Sequence, residues 1–150
     1  MKISNSFDIS ASALTAQRLR MDVVSSNIAN AETTRAKVVN GEAVPYRRKE
    51  VVLSTNKPSF ADTLDSAMNG NNSGIDGVKA VSIQEDQEPF KLVYNPTHPD
   101  ADKNGYVKMP NVDTLKEMVD MISASRSYEA NVTALNASKA MITKALQIGK

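Results

Sequence analysis

Apolar residues recur every seven positions near the start of the chain, at Phe7, Leu14, Met21 and Ile28, and Leu19, Val23 and Val24 widen the stripe. This spacing predicts a helix of several turns that packs against another helix. Ser6 is a suitable N-cap, with Asp8 in the first turn, where the helix dipole favours an anion. The alanines at 11, 13 and 16 allow close backbone approach, and the pattern fades over Asn30–Thr34. A second helical pattern begins after Pro110. Met118, Ile122, Ser125, Tyr128, Val132, Leu135, Lys139, Ile142 and Leu146 follow one another in alternating three- and four-residue steps. Asn111, Asp113 and Thr114 are candidate caps, Thr114 with Glu117 has capping-box spacing, and Gly149 closes the pattern. At 1.5 Å per residue, a helix of ~34 residues spans roughly 50 Å, longer than a small domain is wide.

Between these helices the pattern changes. Pro45-Tyr46-Arg47-Arg48-Lys49 is a basic stretch that leads into a strand at Glu50-Val51-Val52-Leu53. Phe60, Leu64 and Met68 fall on one face of a short helix over residues 58–68, capped by Ser59. The Asn- and Gly-rich residues 69–74 read as a mobile loop. Val81 and Ile83, then Phe90, Leu92 and Tyr94, alternate with polar residues on either side of Glu85-Asp86-Gln87-Glu88, which predicts a hairpin. Residues 95–100 read as a turn and 105–108 as a short strand. The expected fold class is mainly α with a small β-rich insertion. Long helices at residues 1–34 and 111–150 flank a β-rich middle at 35–110, with a flexible loop near 69–77.

Charge along the helices sharpens this picture. Leu115–Ile148 holds 18 apolar, 9 uncharged polar and 7 charged residues, and Phe7–Ala31 holds 13, 8 and 4. A lone surface helix carries a charged face, and these carry little of one. Burying one large aliphatic side chain is worth about 1.5–3 kcal/mol, so leaving six to eight in water forgoes on the order of 10–20 kcal/mol. That rivals a domain's whole stability of about 5–15 kcal/mol. The two helices can pair along only part of their length. The remainder is expected to be disordered in a free copy or packed against other subunits.

Composition excludes several alternatives. The net charge of +1, from 18 basic and 17 acidic residues, gives no case for a nucleic-acid or anionic-membrane surface. Without Cys, disulfides and thiolate metal sites are ruled out. No uninterrupted apolar segment of signal-peptide or membrane-spanning length is present, so export, if it occurs, is expected without a cleaved signal.

The chemistry-bearing residues are sparse. His98, the only histidine, stands near Asp100 and Asp102. A metal-binding or hydrolytic site there is the alternative to an assembly role, but one His in a Pro-rich turn is more often a turn residue. Asp100–Gly105 resembles the opening of a calcium loop but has Asn111 where the bidentate Glu belongs. Ser123, Ser125 and Ser127 lack a Gly-rich elbow or a His partner. The basic triplet Arg47-Arg48-Lys49 reads as a solvated strand end. Asn27 and Asn30 are poor residues for a helix interior. They read either as a frayed terminus or as amides that bond across buried helix contacts and fix register.

Residues 16–34, Ala-Gln-Arg-Leu-Arg-Met-Asp-Val-Val-Ser-Ser-Asn-Ile-Ala-Asn-Ala-Glu-Thr-Thr, resemble the N-terminal signature of bacterial flagellar axial proteins. The stretches Pro45–Lys49, His98–Asp102, Gly105–Val107, Pro110–Val112, Met121–Val132 and Lys139–Met141 are similar to proximal-rod members of that family. The resemblance implies a non-enzymatic, cofactor-free subunit of the basal-body rod that is exported unfolded through the flagellar type III apparatus. In the family fold the two terminal helices pair as a coiled coil lining a tube. The implied partners are other copies of the chain, the rod proteins FlgB and FlgF and the rod-base protein FliE, with no nucleic acid and no membrane insertion. Another axial component, such as FlgB itself or a hook-type protein, is the nearest alternative. The packing residues expected from this are Phe7, Leu14, Leu19, Met21, Val24, Asn27, Ile28 and Asn30 on the first helix. On the second they are Met118, Ile122, Tyr128, Asn131, Val132, Leu135, Ile142 and Leu146.

Overall fold

A computed structural model describes residues 3–39, 42–56, 64, 68 and 77–148, with side chains from Ser6 onward. Its elements run α1 (Ile3–Ala29), β1 (Lys37–Val39), β2 (Glu42–Val44), β3 (Lys49–Asn56), β4 (Gly77–Glu85), β5 (Lys91–Tyr94), β6 (Tyr106–Met109) and α2 (Thr114–Ile148). Among the described residues, two long helices therefore bracket in sequence three two-stranded sheets, β1-β2, β3-β4 and β5-β6. The loop expected near 69–77 lies outside the described residues apart from Gly77. So does most of the helix expected at 58–68, of which Leu64 and Met68 are described as helical. Gly149, the expected helix stop, also lies outside.

The sheets differ from the predicted hairpin. β4 carries Val81 and Ile83 but pairs with β3, while β5 pairs antiparallel with β6 through Leu92↔Lys108, Val93↔Val107 and Tyr94↔Tyr106. Residues 85–90 are instead drawn toward the chain around Arg48, whose carbonyl accepts the Asp86 N–H at 2.9 Å. Alternation predicts which segments are strands, but it does not say which strands meet. β1 and β2 pair as Lys37↔Val44, Val38↔Ala43 and Val39↔Glu42. Asn40-Gly41, a strong two-residue hairpin signal, separates them in the sequence.

The start of α1 corrects the capping expectation, and the start of α2 selects one of the three candidate caps while correcting the capping box. α1 begins at Ile3, so Ser6 and Asp8 lie inside the helix rather than at its cap and first turn. In α2 the cap is Asp113. Its Oδ1 accepts the Leu115 N–H at 3.0 Å and the Lys116 N–H at 3.5 Å, and its carbonyl accepts the Glu117 N–H at 2.9 Å. Thr114 opens the helix, and Glu117 turns inward instead of closing a capping box.

The chain divides into two compact units. One comprises Met1–Leu19, Val52–Ser82 and Ala124–Lys150. Within it the Ser12 hydroxyl donates to the Ile9 carbonyl at 2.7 Å and accepts the Val78 N–H at 3.1 Å, which ties the start of β4 to α1. Gly77 permits this approach, because a Cβ there would lie 2.9 Å from Ser12 Oγ. The Ser6 and Ser138 hydroxyls are 3.5 Å apart across the two helices. The other unit comprises Arg20–Val51 and Ile83–Ser123. In it Arg20 bonds Asp120 at 3.2 Å and Asn27 bonds Glu117 at 2.9 Å, so α1 and α2 run antiparallel.

Buried positions of α2 are Glu117, Ala124 and Ser138, with half-buried Asn131 completing a seven-residue repeat. On α1 they are Ser10, Ala16, Val23, Val24 and Asn27. The α2 seam is therefore small and polar, and much of that helix's apolar row faces water. Leu115, Met118, Val119 and Ile122, spaced as one helical stripe, are 54–72% exposed.

Candidate functional site

Among the described residues the most densely bonded place is a buried polar node where α1 ends, β3 starts and α2 begins. Asn27, only 1% exposed, occupies its centre. Its Nδ2 donates to the Lys49 carbonyl and to Glu117 Oε2, both at 2.9 Å. Its Oδ1 accepts the Tyr46 hydroxyl and the Lys49 N–H, both at 3.0 Å. Every donor and acceptor position of the amide is thereby used, which is what lets it be buried without a desolvation penalty.

Glu117 is fully buried, at 0% exposure. A lone carboxylate there would be very costly, but its Oε1 accepts the Arg48 Nε–H at 2.6 Å while Oε2 accepts Asn27. The Arg48 guanidinium also contacts Glu50, Asp86 (3.3 Å) and Asp120 (3.7 Å). Burial works against its charge, but the hydrogen bonds and charges of Glu117 and Asp86 outweigh this and hold its pKa above the ordinary value. The Arg48 N–H donates to Asn111 Oδ1 at 2.9 Å, just before the α2 cap. Beside it Arg47 lies over the Phe90 ring, 4.6 Å from the centroid, and donates to the Asp86 carbonyl at 2.9 Å. Arg48 is therefore not the solvated strand end that the basic triplet suggested. Four carboxylates reach it, and three of them come from sequence distances of 38 to 72 residues, which no local pattern reports.

A second, more open feature is a cleft of about 350 Å³ between the β1-β2 ribbon and the segment 99–108. Asp100 anchors it. The Thr34 hydroxyl donates to Oδ2 at 2.9 Å, and Arg35 donates to Oδ1 through Nε at 3.1 Å and through a second guanidinium nitrogen. Hydrogen bonds from Arg35, then from Thr34, hold the Asp100 carboxyl below its usual pKa. The alternative site at His98, Asp100 and Asp102 does not converge. His98 Nδ1 accepts the Asp100 N–H at 3.1 Å, and Asp102 Oδ1 accepts the Lys103 N–H at 2.7 Å, so these side chains close their own turn. Among the described residues no group of three or more His, Asp or Glu is placed to hold a metal ion. The calcium-like stretch forms the tight turn that feeds β6, with the Asp102 N–H on the Tyr106 carbonyl at 2.8 Å and Gly105 at a φ of 79°.

The expected packing residues divide clearly. Asn27 and Val24 are buried. Phe7, Leu14, Leu19, Met21, Ile28, Asn30, Tyr128, Asn131, Val132, Leu135 and Ile142 are half-buried, and Met118, Ile122 and Leu146 are exposed. Asn30 bonds locally, its Nδ2 donating to the Ser26 carbonyl at 2.9 Å, and so does Asn131, to Ser127 at 2.8 Å. Arg48, Tyr46 and Glu117 as node residues were missed by sequence reasoning. The available signal was the repeat Glu117, Ala124, Asn131, Ser138, which looks like a polar face until a second helix covers it.

What this architecture defines is a chain whose buried polar chemistry is spent on joining its own elements. Residues 7–37 match the family model described as Flagella basal body rod protein, and residues 103–148 match Flagellar basal body rod FlgEFG protein C-terminal. The flagellar basal-body rod protein FlgC of Bacillus subtilis is 61% identical over 150 residues and covers the whole of both chains. FlgC of Escherichia coli O157:H7 is 47% identical over the whole of both chains. FlgC of Borreliella burgdorferi is 45% identical across 99% of this chain and 98% of that one. The chain belongs to the FlgC family of flagellar basal-body rod proteins, a family of structural subunits rather than enzymes. Its place is the flagellar basal body, where it assembles with other rod components. No helix among the described residues is long and apolar enough to cross a membrane.

Proposed function

We propose that the chain polymerises through its terminal helices into a tubular drive shaft that transmits motor torque and surrounds the export channel. The observation that carries this reading is the exposed row Leu115, Met118, Val119 and Ile122 on α2, with Met141, Leu146 and Ile148 also exposed farther along. Burying a large apolar side chain is worth about 1.5–3 kcal/mol, and the four residues of the row are already partly shielded, so their burial yields on the order of 5 kcal/mol per copy. A head-to-tail contact whose rotation does not close then builds a helical tube rather than a ring. In that tube α1 and α2 pair as a coiled coil on the inside, and the strand ribbons of the middle of the chain face outward and set contacts along the rod. The neighbours are further copies, FlgB, FlgF and FliE. The chain reaches the rod, across the periplasm, through the type III apparatus without a cleaved signal.

Leu135 lies half-buried on α2 away from the polar node. Leu135→Asp is expected to abolish swimming and to remove the protein from detergent-extracted basal bodies while its cellular level stays normal. Normal swimming by that strain would overturn the reading.

A further inference from the structure

We propose that Glu117 is a positioning residue that selects the register in which α2 lies against α1. Apolar packing around Glu117 discriminates weakly between registers. The buried positions of α2 are Glu117, Ala124 and Ser138, small or polar at every step, while Leu115, Met118, Val119 and Ile122 around Glu117 are exposed. A seam of small side chains permits close approach but offers similar packing when it slides by one turn. The polar partners do discriminate. Asn27 Nδ2 needs an acceptor and Arg48 Nε needs an anion, and the two Glu117 oxygens meet both, at 2.9 and 2.6 Å. A slip of one turn moves the carboxylate by about 5 Å and leaves a buried amide donor and a buried guanidinium without it. A single buried polar pairing of this kind is the best-attested way to fix helix register. The arrangement also has a direction. Asn27 gives its NH₂ to Glu117 because its carbonyl oxygen is already taken by Tyr46 and Lys49.

That directionality supplies the test. Asn27→Asp places two carboxylates face to face. Glu117→Gln turns an NH₂ toward Arg48 or Asn27, both of which are donors. The double variant N27D/E117Q keeps the net charge of the node and restores one hydrogen bond with donor and acceptor exchanged, at the cost of the bond to the Lys49 carbonyl, which then faces a carboxylate oxygen, and of one amide N–H at position 117 left without a partner. The chain has no Cys, so spin labels at D22C and V119C, both exposed positions, report the helix register by dipolar spectroscopy in the dilute full-length chain. The expected result is one narrow distance distribution in the parent. Each single variant broadens or shifts it by about 5 Å, one helical turn, and the double variant returns toward the parent. Unchanged distances in the single variants overturn the proposal. So does a double variant no better than the singles, including one that fails to fold. The consequence for assembly rests on the reading given under Proposed function and is scored separately by swimming. If distances follow the expected pattern but all three variants swim like the parent, the register assignment stands and the assembly reading falls.

Discussion

Removing the Arg48 guanidinium tests how much the buried node contributes. Arg48→Met keeps most of the aliphatic stem but leaves Glu117, at 0% exposure, with Asn27 as its remaining partner in the node. It also removes the cation that Glu50, Asp86 and Asp120 share. Breaking a buried pair from one side typically costs about 3–5 kcal/mol, because the surviving charge is stranded in a dry site. The neighbouring carboxylates, drawn together by Arg48, add repulsion, so the upper half of that range is expected. The cost should be read locally, by hydrogen exchange at the amides of Val107, Lys108, Met109 and Asn111 and of the first turns of α2. A loss of 3–5 kcal/mol accelerates exchange there by about two to three and a half decades, at 1.4 kcal/mol per decade. The companion R48M/E117L removes the stranded carboxylate as well and should recover part of the protection, while Asn27 Nδ2 loses its Glu117 acceptor and Glu50, Asp86 and Asp120 still lack their shared cation. Acceleration of less than tenfold in Arg48→Met, or a double variant as labile as the single, would refute the account of a charge-balanced node.

Other outcomes follow from the same geometry. Tyr46→Phe removes the hydroxyl that Asn27 Oδ1 accepts at 3.0 Å and should cost about 1 kcal/mol in a urea melt, with full cost inconsistent with an unchanged midpoint. Gly105→Ala forces a side chain into φ 79° with its Cβ about 3.0 Å from the Tyr94 ring, and should destabilise the β5-β6 ribbon by about 1–2 kcal/mol, seen as loss of the Tyr94–Tyr106 ring contact in NMR. Asp100 has a folded pKa below its ordinary 3.8, so its anchoring of Thr34 and Arg35 is present above that pH and is lost as pH falls through the lower folded value. A carboxyl titration by NMR should place its midpoint below 3.8, and a midpoint at or above it would contradict the hydrogen bonds described; Asp100→Asn should remove this acid sensitivity from the β1-β2 ribbon.

The sequence by itself determined the two helices and their rough limits, because periodicity over twenty or more residues outweighs local accidents. It also determined the strand character of segments around 49–56, 77–85 and 106–109 and, through its resemblance to flagellar axial proteins, the family. Only tertiary structure decided which strands meet, because alternation marks a strand without naming its partner; the segment at 85–90 is held by Arg48 and never turns a hairpin. The same holds for the α2 seam. Glu117 has the spacing of a capping residue and Arg48 the look of a solvated triplet, and each is buried only because the other arrives from 69 residues away. A charge can be buried when its counter-charge and its hydrogen bonds are present in space, and that condition is set by the folded chain rather than by any stretch of it.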